Sequence, residues 1–121
     1  MSQKRKEIIR AVNAAFERND VEAFLAYCAD NMEWTIVGEQ PVKGKDAIRD
    51  WMGIGSREAP KITVDTMVAE GDFVAVTGDV TMVENGAAVP YAYCDVWRFS
   101  GDQLVELRAF MARMDKGGRK D

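Results

Sequence analysis

The chain has 121 residues, 47% of them hydrophobic, and a formal charge of −4. That length supports one domain around one core, and the acidic balance argues against binding by neutralising phosphates. The sequence contains no histidine, which removes Ser-His-Asp, Cys-His and histidine-ligated metal sites.

An all-carboxylate Mg²⁺ site has no motif behind it, so no metal and no cofactor are expected. Two short basic runs, Lys4-Arg5-Lys6 and the terminal Lys116, Arg119 and Lys120, read as solvated ends and not as a nucleic-acid face. No stretch has the length of a membrane span or the pattern of a secretory signal, and the expectation is a cytoplasmic protein. Cys28 and Cys94 are then expected as free, buried thiols.

From Gln3 to Asn19, Ile8, Ile9, Val12, Ala15 and Phe16 recur at spacings of three and four and predict an amphipathic helix. Asp20 is a good N-cap for a second helix over Val21 to Ala29, with Val21, Phe24, Leu25 and Cys28 facing inward. Met32, Trp34 and Ile36 then alternate with Glu33 and Thr35 as a brief strand. After a loop at Pro41, Ala47, Ile48, Trp51 and Met52 predict a short third helix over Asp46 to Met52. Gly53, Gly55 and Pro60 form another loop, and from Lys61 the period becomes that of strands. Four strands follow, over Ile62–Glu70, Phe73–Val83, Ala88–Phe99 and Gln103–Met114, with short turns that join antiparallel neighbours. The expected architecture is α+β and cone-shaped: N-terminal helices on one face of a strongly curved antiparallel sheet, in a single domain over 1–114 with a flexible tail over 115–121.

The segment Tyr91 to Phe99, YAYCDVWRF, places Tyr91, Tyr93, Asp95, Trp97 and Phe99 on one strand face by the period of two. A carboxylate flanked by aromatic residues on a core-directed face is either paired or kept neutral by its surroundings. Asp95 is therefore the candidate acid or hydrogen-bond donor, and its simplest alternative is a bond to a neighbouring Tyr or Trp within the core.

In the order FERNDVEAFLAYCADNMEW, PVKGKDAIRDWM, GDFVAV and YCDVWRFSGDQLVELRAF, the chain resembles the NTF2-like superfamily, specifically its SnoaL-like and ketosteroid-isomerase-like members. The resemblance runs from Ile8 to about Met114. It implies small-molecule chemistry of isomerase, cyclase, hydrolase or dehydratase type, or binding without turnover. Carried over by position, the isomerases' general-base Asp falls at Ile36 and their helix tyrosine near Val12, so both are replaced. Their neutral Asp on a late strand, an oxyanion donor held protonated by an apolar site, falls at Asp95. The last-strand motif of many SnoaL-like and epoxide-hydrolase-like relatives, similar to RDYFD, reads Arg108-Ala109-Phe110-Met111-Ala112 here, and the hydrolases' Arg and Asp on a central strand fall near Gly78 and Val80.

Asp95 is thus the candidate acid or oxyanion donor, and Tyr93 beside it a candidate neutral donor. Trp34, Ile36, Trp51, Tyr27, Trp97, Leu107, Ala109 and Met111 are expected to line a ligand pocket. Glu33 falls on the opposite parity and faces away. The expected ligand is a small apolar or aromatic molecule, such as a carbonyl compound that Asp95 would donate to. Acid–base turnover needs a second group within reach, and none is nameable; a non-catalytic binding or dimerisation module of the same fold is the alternative. Arg98, Arg108, Cys94, Val96 and Phe110 share the other sheet face, half apolar, through which a homodimer is expected.

Overall fold

The structure, a computed structural model, describes residues 2–53 and 58–114. Residues 54–57, with Gly55 of the second expected loop, and 115–121, the expected tail, lie outside the described residues. Helix α1 spans Ser2–Glu17 and α2 spans Val21–Leu25; β1 (Cys28–Ile36) and the two-residue β2 (Val42–Lys43) precede α3 (Lys45–Gly53). The long strands β3 (Lys61–Glu70), β4 (Phe73–Glu84), β5 (Ala87–Ser100) and β6 (Gln103–Arg113) complete the chain.

The sheet has six strands in the order β2-β1-β6-β5-β4-β3. Consecutive long strands are joined by tight turns and pair antiparallel, whereas β1 lies parallel to β6. That parallel pair makes the sheet mixed, a feature that the run of hairpins in the sequence did not announce. At the β4–β5 turn Asn85 and Gly86 take φ of 53° and 80°, the left-handed pair that a two-residue hairpin requires and that Asn-Gly supplies cheaply.

The second helix is shorter than its apolar spacing predicts. Asp20 does cap it, accepting from the Ala23 amide at 3.1 Å, but α2 ends at Leu25 and Cys28 opens β1 instead of closing the helix. The reason is non-local: the Leu104 amide donates to the Tyr27 carbonyl at 2.8 Å, drawing the backbone into the sheet. Cys28 remains buried, its thiol pushed up to about 12 by burial, whereas Cys94 is half-buried.

The core lies between the inner sheet face and the helices. Ile9, Val12, Phe24 and Leu25 pack against Val74, Val76, Trp97, Phe99, Leu104 and Leu107. Arg5 belongs to this assembly and is not the solvated helix end expected of it. Only 6% of the residue is exposed; its guanidinium donates to the carbonyls of Gly101 (2.8 Å) and Gly71 (2.9 Å) and lies 5.1 Å from the centre of the Phe99 ring. One side chain thereby fastens α1 to both turns at that end of the sheet. Arg5→Met should lower unfolding stability by roughly 2–3 kcal/mol, because charge-assisted bonds are lost and two carbonyls lose their donor; a denaturant melt reads this directly.

The β3–β4 ladder shifts register between Val64 and Thr66, leaving Asp65 as the extra residue of a bulge. Opposite it, Gly78 has no side chain, and a Cβ built there would lie 1.9 Å from the Thr63 carbonyl oxygen. Strand β3 therefore closes over Gly78 at a distance that only glycine permits.

Candidate functional site

Beyond the packed core, the inner sheet face opens into a cavity of about 210 Å³. Cα partners across an antiparallel ladder share a face, so the strand registers define its floor. Asp95 pairs with Ala109 and Tyr93 with Met111, and all four line the cavity. The next row, Trp97 opposite Leu107, does not: both are fully buried, and the Trp97 ring sits edge-on to Phe24 at 6.3 Å. The boundary of the cavity runs between these two rows, because the helical hairpin fills the inner face only as far as Phe24.

Trp34 and Ile36 of β1 and Trp51 of α3 supply a side wall. Trp34 is at the centre of an aromatic group, with ring centres 5.7 Å from Phe16, 5.6 Å from Phe24 and 5.4 Å from Trp51. Three residues expected along the wall therefore lie elsewhere. Trp97 and Leu107 are core, and Tyr27, released from the shortened helix, packs against the core without reaching the cavity.

Other lining residues were not singled out by the sequence. Phe16, Val21 and Met52 carry the apolar helical signal that equally describes core, while Val80 and Met82 lie on the inner parity of β4. Asp20 and Glu58 also line the cavity. Glu58 is exposed, and with exposed Asn19 it marks the side open to solvent. Val12, where a helix tyrosine would stand in an isomerase, is buried away from the cavity; Ile36 lines it but brings no base.

The polar groups of this site differ in access. The Tyr93 hydroxyl and the indole N–H groups of Trp34 and Trp97 are buried without a hydrogen-bond partner among the described residues. Burial first, then the nearby charges of Asp95, Asp65 and Asp79, pushes the Tyr93 phenol up to about 12. It is thus a neutral donor throughout the physiological range. The Asp95 carboxyl is different: it too has no hydrogen bond or ion pair among the described residues, but it is not sealed, and it opens on the cavity. Burial alone pushes it from 3.8 up to about 7. Among the described residues no cation or donor opposes that rise, so near neutrality Asp95 is divided between a carboxylic acid that donates and a carboxylate that accepts.

Among the described residues no three potential metal ligands cluster, and no helix is long and apolar enough to cross a membrane.

The sequence profile of the SnoaL-like domain family matches residues 9–107. A search of curated proteins returns no match. Among solved structures, an LEH-like epoxide hydrolase of M. tuberculosis superposes with a TM-score of 0.83 at 14% identity, over 91% of this chain and 84% of that one. An epoxide hydrolase/cyclase-like enzyme of pyran ring formation in the polyether salinomycin gives 0.82 at 23% identity over 92% of both chains. An NTF2-like protein of unknown function from Burkholderia pseudomallei gives 0.78 at 20% identity over 88% of both. At these identities the likeness is one of fold.

Proposed function

The chain belongs to the SnoaL-like domain family, and from that premise we propose that it binds a small, neutral, apolar compound in the inner cavity, held by a hydrogen bond from the neutral Asp95 carboxyl to a carbonyl or ether oxygen. The single observation that carries this reading is a carboxyl on the floor of a mainly apolar cavity with no hydrogen-bond or ion-pair partner among the described residues. A buried polar group without a partner costs free energy, and a ligand oxygen is the partner that would recover it.

Donation from Asp95 would also polarise a bound carbonyl. It would stabilise the enolate or alkoxide of an isomerase, cyclase or dehydratase step, the class of chemistry carried by relatives of this fold. A specific observation favours a second reading, binding without turnover. The positions of the isomerases' base and helix donor hold Ile36 and Val12, and the Tyr93 hydroxyl is closed off beside Asp95, so among the described residues a single proton-transfer group faces the inner end of the cavity.

We further propose a homodimer through the outer sheet face. Val68, Phe73 and Phe110 are exposed there by 57%, 47% and 38%. Arg98 pairs with Glu106 at 3.0 Å, and the Arg108 guanidinium lies 5.2 Å from the centre of the Phe110 ring. A face that mixes apolar groups with neutralised charge suits a second copy.

Trp34 and Trp51 line the cavity and report on its occupant. Titration with apolar ketones should give saturable fluorescence quenching, weakened about tenfold in Asp95→Ala, the value of one lost hydrogen bond in a dry site. Equal binding by a folded Asp95→Ala would remove Asp95 from the account.

A further inference from the structure

A second polar group stands on the cavity floor with nothing to bond. Tyr93 lines the cavity and is 7% exposed, and its hydroxyl has no hydrogen-bond partner among the described residues. The strand registers give the reason. Its Cα partner on β4 is Gly78, which has no side chain, and its partner on β6 is Met111, whose thioether is only a weak acceptor. Two residues away along β5, on the same face, stand Tyr91 and Asp95. The Tyr91 hydroxyl is already committed, donating to Glu84 at 2.6 Å, and the Asp95 carboxyl accepts no bond from Tyr93. A buried tyrosine normally satisfies its hydroxyl. Phenylalanine would fill the same space without the cost of an unpaired polar group, so packing alone does not account for the hydroxyl.

The other two sealed donors are placed differently. The Trp97 indole lies behind the cavity boundary, and the Trp34 indole sits within the aromatic group of the side wall. Among the three, Tyr93 alone shares the floor with Asp95, and their two-residue separation sets the Cα atoms about 6.6 Å apart. We propose, resting on the reading above, that Tyr93 is a second donor of the site and that the ligand carries two acceptor oxygens, one held by Asp95 and the other by the Tyr93 hydroxyl. The two groups do not bond each other although they are neighbours on one face, and they hold different oxygens. The hydroxyl is covered, and what lines the cavity around it can yield: Met111 and Met82 are unbranched thioethers that turn aside at little cost. The ligand class narrows from any apolar ketone to apolar skeletons that bear a pair of carbonyl or ether oxygens.

Three ketones of one skeleton test it: a decalone, a decalindione with its second carbonyl across the same ring, and a decalindione with it on the other ring, titrated against tryptophan fluorescence. At least one dione should bind about fivefold more tightly than the decalone, the value of one net hydrogen bond. That advantage should fall to onefold in Tyr93→Phe, which removes only the hydroxyl, while the decalone binds Tyr93→Phe as it binds the native protein. A denaturant melt without ligand should show Tyr93→Phe at least as stable as the native protein, because no bond is lost. No dione advantage, an advantage that survives Tyr93→Phe, an equal loss for decalone and diones, or a destabilised Tyr93→Phe overturns the inference. Any of these, found with decalone binding that still depends on Asp95, leaves the proposed function standing. Binding that Asp95→Ala leaves unchanged, or no binding by any of the three, overturns both.

Discussion

Asp95→Asn should make the protein more stable at pH 8, by up to about 4 kcal/mol, and leave it nearly unchanged at pH 4. The sign follows from proton linkage. The carboxyl titrates at about 7 in the folded protein against an ordinary 3.8, so between those values the folded state holds a proton that the unfolded state has released. Folding is therefore undisturbed by this group below about pH 4 and loses stability progressively as pH rises toward 7. Above that the full penalty applies, at roughly 1.4 kcal/mol for each tenfold change in the proton equilibrium. Asn keeps the shape of Asp95 and removes the charge. Chemical denaturation of both proteins at the two pH values reads the difference, and equal stability at pH 8 would mean that the carboxylate is solvated in the folded state. A stabilising change at the residue proposed to hold the ligand is what a site maintained for function against stability would show.

Gly78→Ala should destabilise the fold by about 3 kcal/mol or more, or prevent folding. The new methyl would lie 1.9 Å from the Thr63 carbonyl oxygen, a backbone atom that has no rotamer through which to yield. Relief requires β3 to move off β4, undoing the bulge at Asp65 and the closure beside Tyr93, whose Cα partner on β4 is Gly78. Overpacking against side chains typically costs about 1–3 kcal/mol, and a backbone obstacle belongs at or above the upper end. Gly71, where no atom lies within 4 Å of a built Cβ but φ is 58°, is the control. Gly71→Ala should cost only about 1 kcal/mol of left-handed strain. Urea midpoints for both variants separate the two causes.

The sequence revealed the sheet well and the cavity only partly, for different physical reasons. Strands β3 to β6 follow period-two alternation and end at turn residues such as Asn85-Gly86, both of which are local signals, so their limits fall within a residue or two of the structure. The end of α2 depends on a bond between Tyr27 and Leu104, far apart in sequence, and its apolar spacing fits helix and strand alike. Asp95 was legible because a carboxylate among aromatic residues on an inward parity is unusual. The extent of the cavity was not: Trp97 and Asp95 share one face, and only the position of Phe24 decides which of the two is covered. Arg5 and Gly78 carry no local mark of their roles, since each is defined by a distant carbonyl.

Near the position where the resemblance would place an Arg, β3 approaches Gly78 so closely that no side chain fits there. The inner face has been given over to a bulged, closely approached edge, and Asp95 is left as the unpaired acid of the floor.

The most direct test of that claim is the titration of the Asp95 carboxyl carbon by NMR, with and without an apolar ketone. The account predicts a midpoint near pH 7 in the free protein, moving upward when the ketone binds, because a ligand oxygen bonded to the neutral acid favours the protonated form. A midpoint near 4 that the ketone leaves in place would contradict it and return Asp95 to the role of a solvated surface carboxylate.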